Sequence, residues 1–193
     1  MSVSQNTNLL AVDWSKIPPP VDDGTARHLT GMSVPAISLM ATDGRRTVMA
    51  ALDGRTIVFA YPMTGRPGVP LPQDWDLIPG ARGCTPQACA FRDLAVDLRI
   101  AGANHIFGLS TQEPDYQREA AARLHLPFAL LSDAELTLTK ALDLPTVVIE
   151  GKTLLRRLTL VIDDGSVSKV FYPVFPPDQN AGDVLEWLRA NPR

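Results

Sequence analysis

Between residues 36 and 61 the apolar positions come in short runs: 36–42, 47–52 and 56–61 each have the length and composition of a strand. Asp43-Gly44 and Asp53-Gly54 stand between them. Asp-Gly between apolar runs signals a β-hairpin, because both residues tolerate the positive φ angles of a tight turn. The run 57–60 is unbroken, which predicts a central strand buried on both faces. From Cys84 to about Gly102 the period lengthens, and Phe91, Leu94, Ala95 and Leu98 recur as the stripe of an amphipathic helix. Residues 105–110 read as a strand, 115–125 as a helix, and 128–131 as a short strand. A helix over 133–142 follows, capped by Ser132 or Asp133. Beyond it lie a short strand at 147–150 and a hairpin of 158–163 and 168–172 around Asp164-Gly165. A helix over 181–190 turns Val184, Leu185 and Leu188 to one side.

This βαβ alternation with a terminal hairpin and helix predicts an α/β fold, a thioredoxin-like sandwich with a central mixed β-sheet flanked by helices. Residues 1–30 read as an N-terminal arm and 31–193 as one domain, a size that supports a single substantial core. The arm ends its polar stretch in Pro18-Pro19-Pro20 and lacks the basic start and apolar run of a secretory signal. No apolar stretch approaches the roughly 20 residues of a membrane span, so the expectation is a cytoplasmic protein without membrane contact. The net charge is -3, and the arginine pairs 45–46 and 156–157 are no basic patch, which argues against a nucleic-acid partner. His28, His105 and His125 are scattered and make no metal-like spacing with the cysteines, so neither a metal nor another cofactor is expected.

Residues 62–83 form a long loop rich in proline and glycine, and such loops are usually functional or disordered. The loop delivers Cys84 to the start of the helix, where unpaired N–H groups and the positive end of the helix dipole favour thiolate. Arg82 adds positive charge nearby. Cys89 follows five residues later. On an intact helix that separation puts the two Cα atoms about 8–9 Å apart, beyond the ~7 Å limit for a disulfide. The two cysteines are therefore either small buried hydrophobes sharing a helix or a redox pair that bonds only when the helix start unwinds.

Cys84-Thr85-Pro86-Gln87-Ala88-Cys89, followed by Phe91-Arg92-Asp93, resembles the active-site segment of peroxiredoxin Q, also called bacterioferritin comigratory protein. Val58-Phe59-Ala60-Tyr61-Pro62 upstream resembles the family's strand before its active-site loop. Leu131-Ser132-Asp133, Lys140-Ala141-Leu142 and the strand from Arg157 to Gly165 resemble later family segments, so the likeness covers roughly residues 30–190. It implies a thiol-dependent peroxidase in which a hydroperoxide oxidises Cys84 to a sulfenic acid. Cys89 then resolves it as a disulfide, and thioredoxin or a similar dithiol reduces the pair. It further implies that Arg157 holds the thiolate and polarises the peroxide, with Arg156 as the competing choice, and that the protein is a monomer or homodimer.

Two departures stand out. The family carries a Thr or Ser three residues before the first cysteine, and here that residue is Ala81; Thr64 is the candidate to supply the missing hydroxyl. The loop before Cys84 also carries an insertion. Ala81 keeps two other readings open: a thiol–disulfide oxidoreductase that does not reduce peroxide, and a non-catalytic redox switch on the same fold. Leu144-Pro145-Thr146-Val147 is similar to the cis-proline step of thioredoxins, though a loop proline ending the preceding helix is the simpler expectation.

Overall fold

The computed structural model describes residues 12–193; the first eleven residues of the expected arm lie outside the described residues. β1 (Ser38–Ala41) and β2 (Arg46–Val48) form the hairpin expected at Asp43-Gly44. The step at Asp53-Gly54 is no hairpin turn. A 3₁₀ turn over Met49–Ala51 leads out of β2, and β3 (Arg55–Ala60) crosses to the middle of the sheet. The burial patterns give the reason: no residue of β2 is buried, whereas all six of β3 are. A strand apolar on both faces gains most at the centre, so tertiary burial overrides the local turn signal.

The 84–102 segment divides at Leu94 into α1 (Cys84–Asp93) and α2 (Ala95–Ile100). Then come β4 (His105–Ser110), α3 (Pro114–Arg123), β5 (Leu130–Ser132) and α4 (Thr137–Leu142). The Asp133 carboxylate accepts from the backbone N–H groups of Leu138 and Thr139, so it caps α4 from across a turn and the helix starts later than its sequence suggests. β6 (Thr146–Ile149) pairs with β7 (Lys152–Leu155), a strand the periodicity does not reveal. β8 (Leu158–Asp163), β9 (Ser166–Phe171) and α5 (Asn180–Ala190) complete the chain.

The seven-stranded sheet runs β2-β1-β5-β4-β3-β8-β9, with β3, β4 and β5 parallel and the other pairs antiparallel. This is the mixed sheet of a thioredoxin-like sandwich. Alternation along β3 sends Ile57 and Phe59 to one face, where they pack with α1, α2 and α5, and Val58 and Ala60 to the other. On the first face Phe91 of α1 stacks on Phe59 with ring centroids 4.3 Å apart. That contact anchors the C-terminal half of α1 against the sheet, at a gain of about 0.5–1.5 kcal/mol beyond simple burial. The front half of α1 joins the same core through Cys84 and Ala88.

Candidate active site

α1 begins at Cys84 because Gly83 precedes it at φ +105°, a left-handed conformation that a residue with a Cβ rarely adopts. Pro86 suits the first turn, where a backbone N–H has no helical partner to lose. Cys84, Thr85, Pro86, Gln87, Ala88 and Cys89 are all buried, so the helix start is enclosed all round. Both cysteines are free thiols on an unbroken helix.

The enclosing loop is held firmly. Thr64 donates through N–H and hydroxyl to Gln112 Oε1 at 2.8 and 3.1 Å, and Ser110 Oγ donates to the Pro62 carbonyl at 3.2 Å. Arg82 pairs with Asp76 at 2.7 Å. Trp75 and Ala81 form a small buried cluster with Ile149 and Leu154 of the β6–β7 hairpin, which explains how so long a stretch stays ordered. The Thr64 hydroxyl is therefore engaged with Gln112. The residue at position 81 offers the sulfur its backbone carbonyl, which accepts from Cys84 Sγ at 3.6 Å.

Arg156 and Arg157 fall between β7 and β8, and their side chains make separate contacts. Arg156 donates to the Thr146 carbonyl and pairs with Asp23 at 3.4 Å. Arg157 is buried, and its Nη2 donates to Cys84 Sγ at 3.2 Å and to the carbonyls of Gly80, Ala81 and Arg82 at 3.1–3.3 Å. Its Nη1 donates to Gln87 Oε1. Gln87 Nε2 in turn donates to Asn180 Oδ1 at 2.9 Å, which also accepts from Thr159 Oγ1 at 2.6 Å. Gln87, Asn180 and Thr159 are fully buried, so one polar chain from β8 and α5 through α1 fixes the guanidinium beside the sulfur. Sequence reading named Cys84, Cys89 and Arg157 and missed this chain. The available signal was a glutamine in the first turn of the cysteine helix.

Burial raises the Cys89 thiol above its ordinary pKa, with Asp93 adding to the shift and Arg92 and Arg123 opposing it. While α1 stays folded, Cys89 is therefore a protonated and poorly nucleophilic thiol. A cavity of about 180 Å³ opens against Arg157 and Ala81, walled by Pro62, Ile78, Val147 and Pro173. Its mostly apolar wall, with Arg156 and Arg157 as the two charged groups, suits a small polar head carrying an apolar tail. Among the described residues no group of side chains could hold a metal ion, and no helix is long and apolar enough to cross a membrane. The only cis peptide bonds among these residues precede Pro173 and Pro176, so Leu144-Pro145 is trans and the thioredoxin-like proline step is absent.

The Redoxin family matches residues 29–185. Peroxiredoxin Q, chloroplastic, of Oryza sativa subsp. japonica is 31% identical over 162 residues, covering 83% of this chain; the chain spans 66% of that protein's length. The crystal structure of peroxidoxin BcpB from Mycobacterium tuberculosis superposes with a TM-score of 0.68 at 30% identity, over 85% of this chain and 98% of the other. Peroxiredoxin Q of Xanthomonas campestris shares the fold, with a TM-score of 0.65 at 24% identity over 83% of this chain and 96% of the other. Together with the two-cysteine helix and the arginine held against its first sulfur, these matches show that the chain belongs to the Redoxin family, among the peroxiredoxins of the Q type.

Proposed function

We propose that this protein is a thiol-dependent peroxidase that reduces hydrogen peroxide or organic hydroperoxides through Cys84 and Cys89. The observation that carries the reading is Arg157 Nη2 at 3.2 Å from Cys84 Sγ, with both residues almost wholly buried. A fixed, permanently charged donor there stabilises the thiolate and pulls on the peroxide oxygen it faces.

Cys84 thiolate attacks the distal oxygen of ROOH, the O–O bond breaks, and ROH leaves after taking a proton, with Cys84 oxidised to sulfenic acid. The cavity beside Arg157 and Ala81 is the proposed approach for the peroxide, its apolar wall left for an organic tail. Unwinding of the first turns of α1 brings Cys89 to the sulfenic sulfur; the disulfide forms and water departs. An external dithiol of the thioredoxin kind then reduces the pair by exchange. The two cysteines share one chain, so a monomer suffices for the cycle. The need for such a reductant fits a reducing compartment such as the cytoplasm.

Ala81 bears on the second reading, a disulfide oxidoreductase without peroxidase activity, because no hydroxyl stands three residues before Cys84. The Ala81 carbonyl accepts from the Cys84 thiol at 3.6 Å. The test is titration of the reduced protein with hydrogen peroxide, followed by free-thiol counting and intact mass. Loss of both thiols with a mass decrease of about two units, abolished in Cys84→Ser, is expected. Thiols that survive stoichiometric peroxide would overturn the peroxidase reading in favour of disulfide exchange.

A further inference from the structure

Residues 14–23 of the N-terminal arm lie across the part of the active site that has to move. Trp14 rests on Gly83: a Cβ placed on that glycine would stand 2.6 Å from Trp14 Cη2 and 2.7 Å from Pro177 Cγ. The Trp14 indole N–H donates to Asp178 Oδ2 at 2.8 Å, and its ring meets Phe175 edge-on with centroids 5.9 Å apart. Asp13 caps the short turn that presents this ring. Further along, Pro20 reaches over Gly80 and joins the wall of the cavity beside Arg157. Asp23 ties the far end down, accepting from the Tyr172 hydroxyl at 2.9 Å and pairing with Arg156. Residues 14–23 of the arm thus run as a strap over Gly80–Gly83, tied at Trp14 and at Asp23 to the segment between β9 and α5.

We propose that Trp14 is a positioning residue of the redox cycle: by pinning Gly83 it holds the head of α1 folded and sets how Cys84 sulfenic acid divides between two fates. This rests on the peroxidase reading given above. In one fate the sulfenic acid condenses with the Cys89 thiol, forming the S–S bond and releasing water. In the other, a second hydroperoxide oxidises it, giving Cys84 sulfinic acid and the corresponding alcohol or water. The first fate requires the front of α1 to unwind, since an intact helix keeps the two Cα atoms about 8–9 Å apart. The second fate needs only the folded site with its pocket open to peroxide. A contact present in the folded form and lost on unwinding slows the first fate relative to the second. The arm is therefore a brake on resolution.

Two measurements on the full-length protein test this. In the reduced protein, hydrogen exchange at the Gln87 amide, which bonds to the Gly83 carbonyl at 3.0 Å, reports opening of the first turn without any peroxide. Trp14→Ala is expected to speed that exchange about tenfold, the equivalent of ~1.4 kcal/mol. The peroxide concentration that converts half of Cys84 to sulfinic acid is expected to rise about tenfold in the same variant. Trp14→Phe, which keeps a ring on Gly83 and loses the bond to Asp178, should fall between the two proteins in both measurements. Its milder change keeps the test valid should Trp14→Ala fold poorly. Unmoved exchange, or a half-point that stays or falls, overturns the strap. Faster exchange in a protein whose wild type forms no Cys84–Cys89 disulfide overturns the peroxidase reading instead, and the proposed partition with it.

Discussion

The chain Arg157–Gln87–Asn180–Thr159 makes a quantitative prediction, because Gln87 touches the guanidinium and not the sulfur. Gln87→Met keeps the length of the side chain and removes both hydrogen bonds. The bond to Arg157 involves a charged donor and is worth about 1.5–3 kcal/mol; the bond to Asn180 is neutral and worth about 1 kcal/mol. Asn180 keeps its partner Thr159, so the loss falls on Arg157, whose Nε already lacks a partner in the structure. Destabilisation of about 2–4 kcal/mol is expected, read from a urea melt of the reduced protein. On activity, Arg157→Met removes the charged donor beside Cys84 Sγ, and about a hundredfold slower oxidation of Cys84 is expected. Gln87→Met only loosens that donor, so a loss of about tenfold is expected. The decisive comparison is the double variant, assayed by stopped-flow oxidation with hydrogen peroxide. If Gln87 acts through Arg157, adding Gln87→Met to Arg157→Met slows the reaction no further, and the coupling equals the whole single-variant effect. Multiplying rate losses would refute this reasoning, since Gln87 would then influence the sulfur by a route that bypasses the guanidinium.

The remaining predictions concern α1. Cys89→Ser should still lose one thiol to peroxide and accumulate Cys84 sulfenic or sulfinic acid, seen by mass as one or two added oxygens; release of a disulfide-linked product would contradict the assigned roles. Gly83→Ala places a Cβ at positive φ within 2.6 Å of Trp14 and should destabilise the protein by about 1–3 kcal/mol, checked by thermal melting. Burial raises the Cys89 pKa in the fold, so its neutral form stabilises α1; that contribution is complete below the ordinary thiol value and is lost as pH rises through the raised one. Urea midpoints should accordingly fall more steeply with rising pH in the parent protein than in Cys89→Ala, and equal slopes would exclude the effect.

Local sequence determined much of this protein. The unbroken apolar run 57–60 makes a central strand wherever it lies, because such a segment is stable only when covered on both faces. The spacing of Cys84 and Cys89 on one helix dictates that any disulfide between them requires unwinding, since helical rise and turn are properties of the backbone itself. The Asp43-Gly44 and Asp164-Gly165 steps make their hairpins for equally local reasons. Only tertiary structure decided that Asp53-Gly54 does not, because β3 gains more at the sheet centre than beside the exposed β2. It alone decided between Arg156 and Arg157 at the sulfur, since the direction of two adjacent side chains depends on the register of β8. The sequence offers a glutamine at a helix start, but what Gln87 positions was decided in the same way. Its partners lie 70 and 93 residues away in sequence, and contacts at that range form only when the sheet and α5 are assembled. The strap of the arm over Gly83 belongs to the same class. Nothing near Trp14 in sequence specifies the surface it meets, and the match of an indole to a glycine without a side chain appears only once both segments are in place.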